Sequence, residues 1–314
     1  MDVLSDVLRV ASLGNALLSQ SELVAPWAME VGPKVRAAIH IVKRGMCWFR
    51  VGSGAESVRL LAGDIVFVPG GATHVIADDP LTPPRPYEEE LAEQHRRVEL
   101  GINADGERCA LLCAEITFDH TEAHPLMSVL PHVIHIGADA AEADEGLRSL
   151  SRALLREASL QRPGAELLVP RLVDALLVLI VRHWLDSHPL DSAGDGAGDG
   201  AGWLGALRDP QIARALGLMH ETPEQHWTVD GLASRVAMSR AVFARRFTAL
   251  VGEPPLAYLT RWRLNVAAKR LRTTDESVER IASSVGYESA TAFGNAFRRH
   301  HAVAPGRYRT TTRL

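Results

Sequence analysis

Cysteine, long apolar runs and net charge are all scarce in this sequence. Three cysteines among 314 residues are too few for a disulfide framework and are typical of a protein kept in a reducing compartment. The longest apolar stretch, Ala175–Val181, is followed directly by Arg182, so it is far shorter than the ~18 residues of a membrane span. The first residues, MDVLSDVLRV, contain acids where a secretory signal would carry basic residues. We therefore expect a cytoplasmic protein that does not enter a membrane.

The small net charge conceals an uneven distribution. The formal net charge is −4. Residues 203–314 hold 17 Lys and Arg against 9 Asp and Glu, a charge of +8, and residues 1–202 hold 17 against 29, a charge of −12. A cationic segment beside an anionic one predicts that only the C-terminal third binds a polyanion.

A stretch rich in Gly, Ala and Asp separates these two parts. In DSHPLDSAGDGAGDGAG, residues 186–202, few side chains could contribute to a core, which is typical of a flexible linker. We therefore predict four segments: a β-domain over residues 1–136, a helical segment over 137–185, the linker over 186–202, and a separate C-terminal domain over 203–314.

The C-terminal third contains an internal repeat. TVDGLASRVAMSRAVFARRFTALVGEPPLAY matches SVERIASSVGYESATAFGNAFRRHHAVAPGRY at an offset of 49 residues, which becomes 50 after the central turn. Each copy has a short amphipathic helix, a break, and a second helix that starts at a capping serine, Ser239 or Ser289. This is the pattern of a helix-turn-helix, with a helix from Leu256 to Leu271 connecting the copies. An all-helical bundle without DNA binding is the alternative.

The second copy also carries a set of residues at a characteristic spacing. They are Gly286-Tyr287, Ser289, Phe293, Phe297-Arg298-Arg299, Pro305 and Tyr308-Arg309. This set resembles the signature of the AraC/XylS transcription regulators, and the resemblance covers about residues 205–310. It implies a domain with two recognition helices, a promoter-DNA target, RNA polymerase as a partner and a homodimeric assembly.

The resemblance also assigns DNA-contacting positions. They are Ser239, Arg240, Ala241, Ala244 and Arg245 in the first recognition helix, and Ser289, Ala290, Thr291, Gly294 and Asn295 in the second. In the first helix, Arg245 is the residue predicted to read a guanine. The second helix is poor in long polar side chains, so we expect weaker reading of its half-site, mainly through DNA shape. Arg298 and Arg299 are expected to contact phosphates.

The residues up to about 136 consist of short apolar or alternating runs broken by Gly, Pro and Asp, which predicts an antiparallel β-domain. One run carries Gly63, Pro69, Gly71 and His74. Their spacing resembles the second motif of the cupin barrels, in which the histidine projects into the barrel. The first cupin motif is incomplete, because Ala38 stands at its acidic ligand position when Gly45 is its anchoring glycine. This departure argues against an ordinary cupin enzyme.

A metal or effector site inside the barrel is a second expectation. His40 shares a strand face with Ala38, and Cys109 and Cys113 share one face of a later strand. His40, His74 and one or both cysteines would then line the barrel, with ligand types suited to zinc or another transition metal. Hydrogen-bonded histidines and core cysteines are the alternative. A Cys109–Cys113 disulfide is excluded because four residues along a strand span about 13 Å, so a disulfide would require Cys47.

From about residue 140 the apolar pattern becomes helical. In ELLVPRLVDALLVLIVRHWLDS, Leu172, Leu176 and Ile180 belong to a broad apolar face that must be buried against the β-domain, the preceding helix or a second subunit. The family resemblance implies that this helix forms the dimer.

We therefore predict an α+β multidomain protein: a cupin-like β-barrel with a helical dimerisation segment, and an all-α domain with two helix-turn-helix motifs. The predicted function is sequence-specific DNA-binding regulation of transcription, without enzymatic activity, in response to a small molecule, metal or oxidant. The N-terminal segments resemble a subgroup that includes reactive-chlorine-responsive activators. The alternatives are a cupin-type metalloenzyme fused to a DNA-binding tail and an inducer-independent DNA-binding protein.

Overall fold

The computed structural model describes residues 13–32, 37–52, 56–100, 105–118, 130–160, 162–187 and 203–312, together with Val3, Asp6 and Ile102. The described residues between 13 and 187 belong to one compact unit, and residues 203–312 belong to another. Only Asp186 and Ser187 of the predicted linker are described, and they end a helix. Residues 188–202 lie outside the described part of the chain.

The N-terminal unit is built on two five-stranded sheets. Their strand orders are β1-β9-β3-β6-β10 and β5-β4-β7-β2-β8, and the pairing is antiparallel except between β2 and β8. Side chains from both sheets, such as Val66 and Ile76, meet in one apolar core. The strands are β1 (Leu13–Val24), β2 (Ala28–Val31), β3 (Ala37–Arg44), β4 (Met46–Val51), β5 (Val58–Leu61), β6 (Ile65–Val68), β7 (His74–Ala77), β8 (Arg85–Pro86), β9 (Arg108–Phe118) and β10 (Ile134–Ile136).

The prediction of a closed β-barrel is wrong, because the strands form two separate sheets. In the described part of the chain, no backbone ladder joins the two sheets. Each sheet ends on one side in a very short strand, β10 with three residues and β8 with two. Such short edges offer few hydrogen-bonding groups to the opposite sheet, so side-chain packing holds the sheets together.

Four α-helices among the described residues complete this unit. α3 and α4 pack against each other and against β1, and the whole of Ala37–Val42 in the central strand β3 is buried. Burial on both faces of a strand is expected where helices cover one side of its sheet. The helices are α1 (Tyr87–Glu99), α2 (Ala138–Ala143), α3 (Glu145–Leu160) and α4 (Ala165–Ser187).

The apolar face of α4 is covered within the single chain, whereas the family resemblance implied that this face forms the dimer. Leu176 and Ile180 are both 0% exposed within the single chain, and Leu172 is half-buried. The helix α3 and the strand β1 already cover this face. The broad apolar stripe therefore serves the core of the protomer.

The C-terminal unit is all-helical, and its two central helix pairs follow the internal repeat. The predicted caps are confirmed: the Ser239 hydroxyl accepts a hydrogen bond from the Val242 amide, and Ser289 accepts one from Ala292. The helices are α5 (Trp203–Arg208), α6 (Pro210–Glu221), α7 (Val229–Arg235), α8 (Arg240–Val251), α9 (Pro255–Thr273), α10 (Val278–Ser284), α11 (Ala290–His301) and α12 (Pro305–Thr312).

The repeat extends to the backbone conformation of the turns. Between α7 and α8 the left-handed residue is Ala237, with φ +54°, and between α10 and α11 it is Gly286, with φ +83°. After the second helix of each pair, Gly252 and Ala302 are likewise left-handed. Each copy thus uses the same two turns, with glycine at one position and alanine at the other.

Candidate functional site

Helices α8 and α11 each have one buried and one open face. Phe243 and Phe247 of α8, and Phe293 and Phe297 of α11, are 0% exposed and anchor the two helices. The assigned DNA-contacting positions lie on the remaining surface. Ser239, Arg240, Ala241, Arg245, Ser289, Thr291, Asn295, Arg298 and Arg299 are exposed, whereas Ala244, Ala290 and Gly294 are half-buried.

The two adjacent arginines of α8 have different roles. Arg246 forms a 2.5 Å ion pair with Asp209, a buried residue whose side chain also accepts hydrogen bonds from the Gln211 and Ile212 amides at the start of α6. Arg246 therefore fastens α8 to α6. Arg245, its neighbour, is exposed as well, and it is the residue of this pair that the family resemblance assigns to DNA contact.

Polar contacts also involve other outward side chains of α8 and α11. Arg240 pairs with Asp230 at 3.3 Å, but both side chains are more than 60% exposed, so the pair adds little stability. On α11, an Arg298 nitrogen donates to the Asn295 Oδ1 at 3.3 Å. This bond uses only one acceptor position of Asn295, so its side-chain NH2 can still donate to a base, and Thr291 presents an exposed hydroxyl.

Three of the predicted metal or effector residues meet inside the N-terminal unit. His40 on β3 lies opposite Cys113 on β9 in the strand register, and its Nδ1 is 3.1 Å from the Cys113 Sγ. The His40 Nε2 is 2.8 Å from the Nε2 of His74, which begins β7 in the other sheet. All three side chains are at most 3% exposed. We call this group the His40–His74–Cys113 chain.

The hydrogen bonds determine where each proton of the chain lies. The His74 Nδ1 is 2.8 Å from the Ala72 carbonyl oxygen, which can only accept, so His74 is protonated at Nδ1 and its Nε2 is an acceptor. The His40 Nε2 must then be the donor to His74, which leaves the His40 Nδ1 as an acceptor. The Cys113 thiol therefore donates to His40, and all the donors point in one direction.

Burial keeps the side chains of the His40–His74–Cys113 chain neutral. It holds the pKa of His40 well below its ordinary value, and the neighbouring His74 lowers it further. Burial also lowers the pKa of His74, against the opposing effect of the Ala72 carbonyl. Burial raises the pKa of Cys113 to about 12, with a smaller contribution from Glu115. Two neutral imidazoles and a protonated thiol thus lie in an apolar core.

The other two cysteines form a separate contact. Cys109 and Cys47 are buried and free, and their hydrogen bond is the largest cause that raises the pKa of the Cys47 thiol, ahead of its burial. The sequence predicted one or both of Cys109 and Cys113 beside the histidines, and among the described residues a hydrogen bond joins Cys113, but not Cys109, to a histidine. Cys47 is the partner that sequence spacing allowed for a disulfide.

The three side chains of the His40–His74–Cys113 chain are hydrogen-bonded in a line, and their polar atoms do not converge on one point. His40 uses a different ring nitrogen for each neighbour, and the two nitrogens of an imidazole point in divergent directions. Among the described residues, no group of three or more His, Cys, Asp or Glu side chains is arranged to hold a metal ion. Metal binding would therefore require His40 to exchange at least one of these hydrogen bonds for a metal bond.

A structural role explains much of the second cupin motif. The Asp64 carboxylate accepts hydrogen bonds from the Ala138 amide at 2.7 Å and from the His135 Nε2 at 2.9 Å. A Cβ at Gly63 would lie 2.9 Å from the Ala138 Cβ. These residues join the β5–β6 turn to the start of α2. Sequence reasoning missed this role of Asp64, although its place between Gly63 and a buried strand was visible.

The two units together define a DNA-binding protein with a helix-turn-helix domain and an N-terminal β-domain. Residues 2–186 match the family model described as Cupin, and residues 232–311 match the one described as Helix-turn-helix domain. Full-length relatives share both parts. The chain belongs to the AraC family of DNA-binding transcription regulators, as its sequence signature predicts, and it is a regulator and not an enzyme.

The relatives cover nearly the whole chain. An AraC-like transcription regulator of Streptomyces lividans is 32% identical over 98% of both chains. The HTH-type transcriptional regulator AlkR of Acinetobacter baylyi is 30% identical over 98% of this chain and 99% of its own. The RCS-specific HTH-type transcriptional activator RclR of Escherichia coli is 26% identical over 100% of this chain and 99% of its own.

Within the described residues, no helix has the length and apolar character to cross a membrane.

Proposed function

We propose that the protein binds double-stranded promoter DNA through α8 and α11, each acting as the recognition helix of a helix-turn-helix. The open faces of these two helices, on a domain with a charge of +8, are the observation that carries this proposal. The connecting helix α9 has 19 residues and a length of about 28 Å. This length suits two helices that enter successive major grooves, which lie about 34 Å apart on one side of DNA.

Replacing Arg245 by alanine is expected to reduce discrimination at one base pair of the bound site. A bidentate contact between arginine and guanine contributes about 1–3 kcal/mol against the wrong base, and Arg245 is the exposed arginine best placed for it. The measurement compares the Kd for a footprinted operator with the Kd for each single-base-pair variant of that operator.

Arg299→Ala is the comparison for this experiment. A phosphate contact carries no sequence information, so we expect this variant to weaken binding to every operator variant by a similar factor. If Arg245→Ala also weakens all sequences equally, Arg245 does not read a base, and its assignment fails.

We further propose that the cupin domain senses its effector through the His40–His74–Cys113 chain. The hydrogen bonds of these three side chains offset the cost of burying polar groups in an apolar core, and they connect a thiol, which can react with an oxidant, to two imidazoles, which can bind a metal. The Cys113 thiol donates its hydrogen bond to His40, and reaction with an oxidant or binding of a metal would release the thiol proton and break this bond. This feature favours an inducible regulator over an inducer-independent DNA-binding protein.

Zinc or another transition metal is one candidate effector, and the ligand types support it. Neutral imidazole and thiolate are the ligands that bind these metals in proteins, and both histidines are already neutral. A metal between His40 and His74 would replace the shared proton of their hydrogen bond, and a turn of the His40 ring would be needed to include Cys113. An oxidant or a small organic molecule remains the other candidate.

The metal form of the proposal is tested on the full chain purified without a metal-affinity tag. We expect about one equivalent of metal by elemental analysis after incubation with zinc, and none in a His74→Gln variant, since His74 would be a ligand. The wild-type protein could instead take up no metal while its DNA binding still responds to an oxidant. This result would assign thiol chemistry, and not metal binding, to the His40–His74–Cys113 chain.

RNA polymerase and a second copy of this chain complete the proposed assembly. Regulators of this family act at promoters, which supports the polymerase as a partner. The homodimer stays a prediction without an assigned surface, because the apolar face of α4 is used inside the protomer. Light scattering of the full chain, alone and with operator DNA, measures the number of copies.

A further inference from the structure

Arg263 connects the middle of α9 to a loop of the first repeat. Its Nε donates to the Pro223 carbonyl oxygen at 2.6 Å, and its Nη2 donates to the Gln225 carbonyl oxygen at 2.8 Å. These carbonyls lie in the loop between α6 and α7, immediately before the first helix pair. Two charge-assisted hydrogen bonds from one rigid guanidinium fix both the position and the orientation of that loop on α9.

The same guanidinium supports the turn of the second helix pair. A Cβ at Gly286 would lie 2.7 Å from the Arg263 Nη2 and 2.9 Å from the carbonyl oxygen of Glu224. The backbone of Gly286 therefore rests directly on Arg263 and on the loop that Arg263 holds. The His226 Nε2 of the loop also lies 3.4 Å from the Glu288 Oε1 of this turn.

Close approach, more than backbone conformation, explains the glycine here. The equivalent position of the first repeat is Ala237, which has a positive φ with an ordinary side chain. Gly252 also has a positive φ, but a Cβ added there would meet nothing within 4 Å. Gly286 alone of these three combines a left-handed backbone with a crowded neighbour.

We propose that Arg263 and Gly286 set the distance and rotation between α8 and α11, and that they thereby restrict the protein to operators with one spacing between half-sites. This inference rests on the proposed reading of DNA by both helices. Arg263 acts as a positioning residue, since it holds α7–α8 and α10–α11 in one arrangement through the loop and the turn. We call the contact the Arg263–Gly286 clamp.

The physical argument concerns the geometry of DNA. One added base pair moves the second half-site by about 3.4 Å and rotates it by roughly 35° around the duplex. A rigid pair of recognition helices cannot follow this change, and the second helix then loses its base contacts. A pair joined only through α9 and its apolar packing could adjust, at the expense of affinity for the correct spacing.

The test uses the full chain and operators with the native spacing or with one base pair added or removed. The quantity measured is the spacing ratio, the Kd on the altered operator divided by the Kd on the native one. We expect a ratio of about tenfold or more for the wild type. Arg263→Met keeps the aliphatic stem but removes the donors, and Gly286→Ala pushes the turn away. Both variants should lower the ratio to about threefold or less.

Gly252→Ala is the matched control, because it imposes the same left-handed strain on alanine without touching the clamp. Its spacing ratio should equal that of the wild type, and circular dichroism verifies that each variant is folded. Folded clamp variants with an unchanged ratio overturn the inference, as does a control that lowers the ratio equally. If scrambling the second half-site left the Kd of the wild type unchanged, DNA reading by both helices would be overturned. The proposed effect of the Arg263–Gly286 clamp on operator spacing would then fail as well.

Discussion

Raising the salt concentration from 50 to 200 mM is expected to weaken binding of the full chain to its operator by about 10³-fold or more. The cationic C-terminal third, with its charge of +8, would displace counterions from roughly six to eight phosphates. The logarithm of the affinity then falls linearly with the logarithm of the salt concentration, with a slope of about −0.9 per contact. Fluorescence anisotropy with labelled operator at several salt concentrations measures this slope.

Two arginine variants identify which charges produce the slope. Arg299→Gln removes an exposed cation of α11 and should make the slope shallower by about one. Arg152→Gln removes an exposed arginine of α3 in the N-terminal unit, which pairs with Glu142, and should leave the slope unchanged. A flat salt dependence of the wild type would contradict electrostatic binding through the C-terminal domain.

The helix pairs could be predicted because their signals are local. A capping serine, a break and apolar residues at helical spacing all lie within about 25 residues in each copy, and hydrogen bonds of helices close over short distances along the chain. The caps at Ser239 and Ser289 formed as expected. The repetition of this pattern at a fixed offset made the prediction stronger than one copy would have done.

The His40–His74–Cys113 chain could be predicted only in part, because strand register determines which of these side chains meet. Strand alternation placed His40 and Cys113 on inward faces, but they lie 73 residues apart in sequence, and no local signal states that they pair across β3 and β9. The direction of the hydrogen bonds depends on the Ala72 carbonyl, which no side-chain pattern reveals. The sequence therefore left a converging metal site and hydrogen-bonded core histidines both open, and the structure shows the hydrogen-bonded arrangement.

Long-range anchors escaped prediction for the same reason. Arg263 reaches carbonyls 38 and 40 residues earlier in the chain, and Arg246 pairs with Asp209 across three helices. Neither arginine has a local sequence signal that predicts these contacts. The broad apolar face of α4 was predicted, but its partner was not, because amphipathicity shows that a face is buried without showing what covers it.

Replacing Ile180 by aspartate is expected to unfold the N-terminal unit or to destabilise it by roughly 3–5 kcal/mol. Ile180 is 0% exposed within the protomer, so a carboxylate there would lose its hydration without a partner. A loss of this size is a large part of the total stability of a domain, about 5–15 kcal/mol. Urea denaturation followed by circular dichroism measures the change, and DNA binding by the separate C-terminal unit reports whether that unit stays folded.

Leu167→Asp is the matched control on the same helix, because Leu167 is 80% exposed and its replacement leaves the carboxylate in water. We expect this control to have the stability of the wild type. Light scattering adds a second measurement that separates core from interface. If Ile180→Asp kept the wild-type stability and changed only the mass of the particle, Ile180 would face a second subunit, and its place in the protomer core would be wrong. Loss of stability with aspartate at Ile180, but not at Leu167, would instead support burial of the Ile180 side chain in the protomer core.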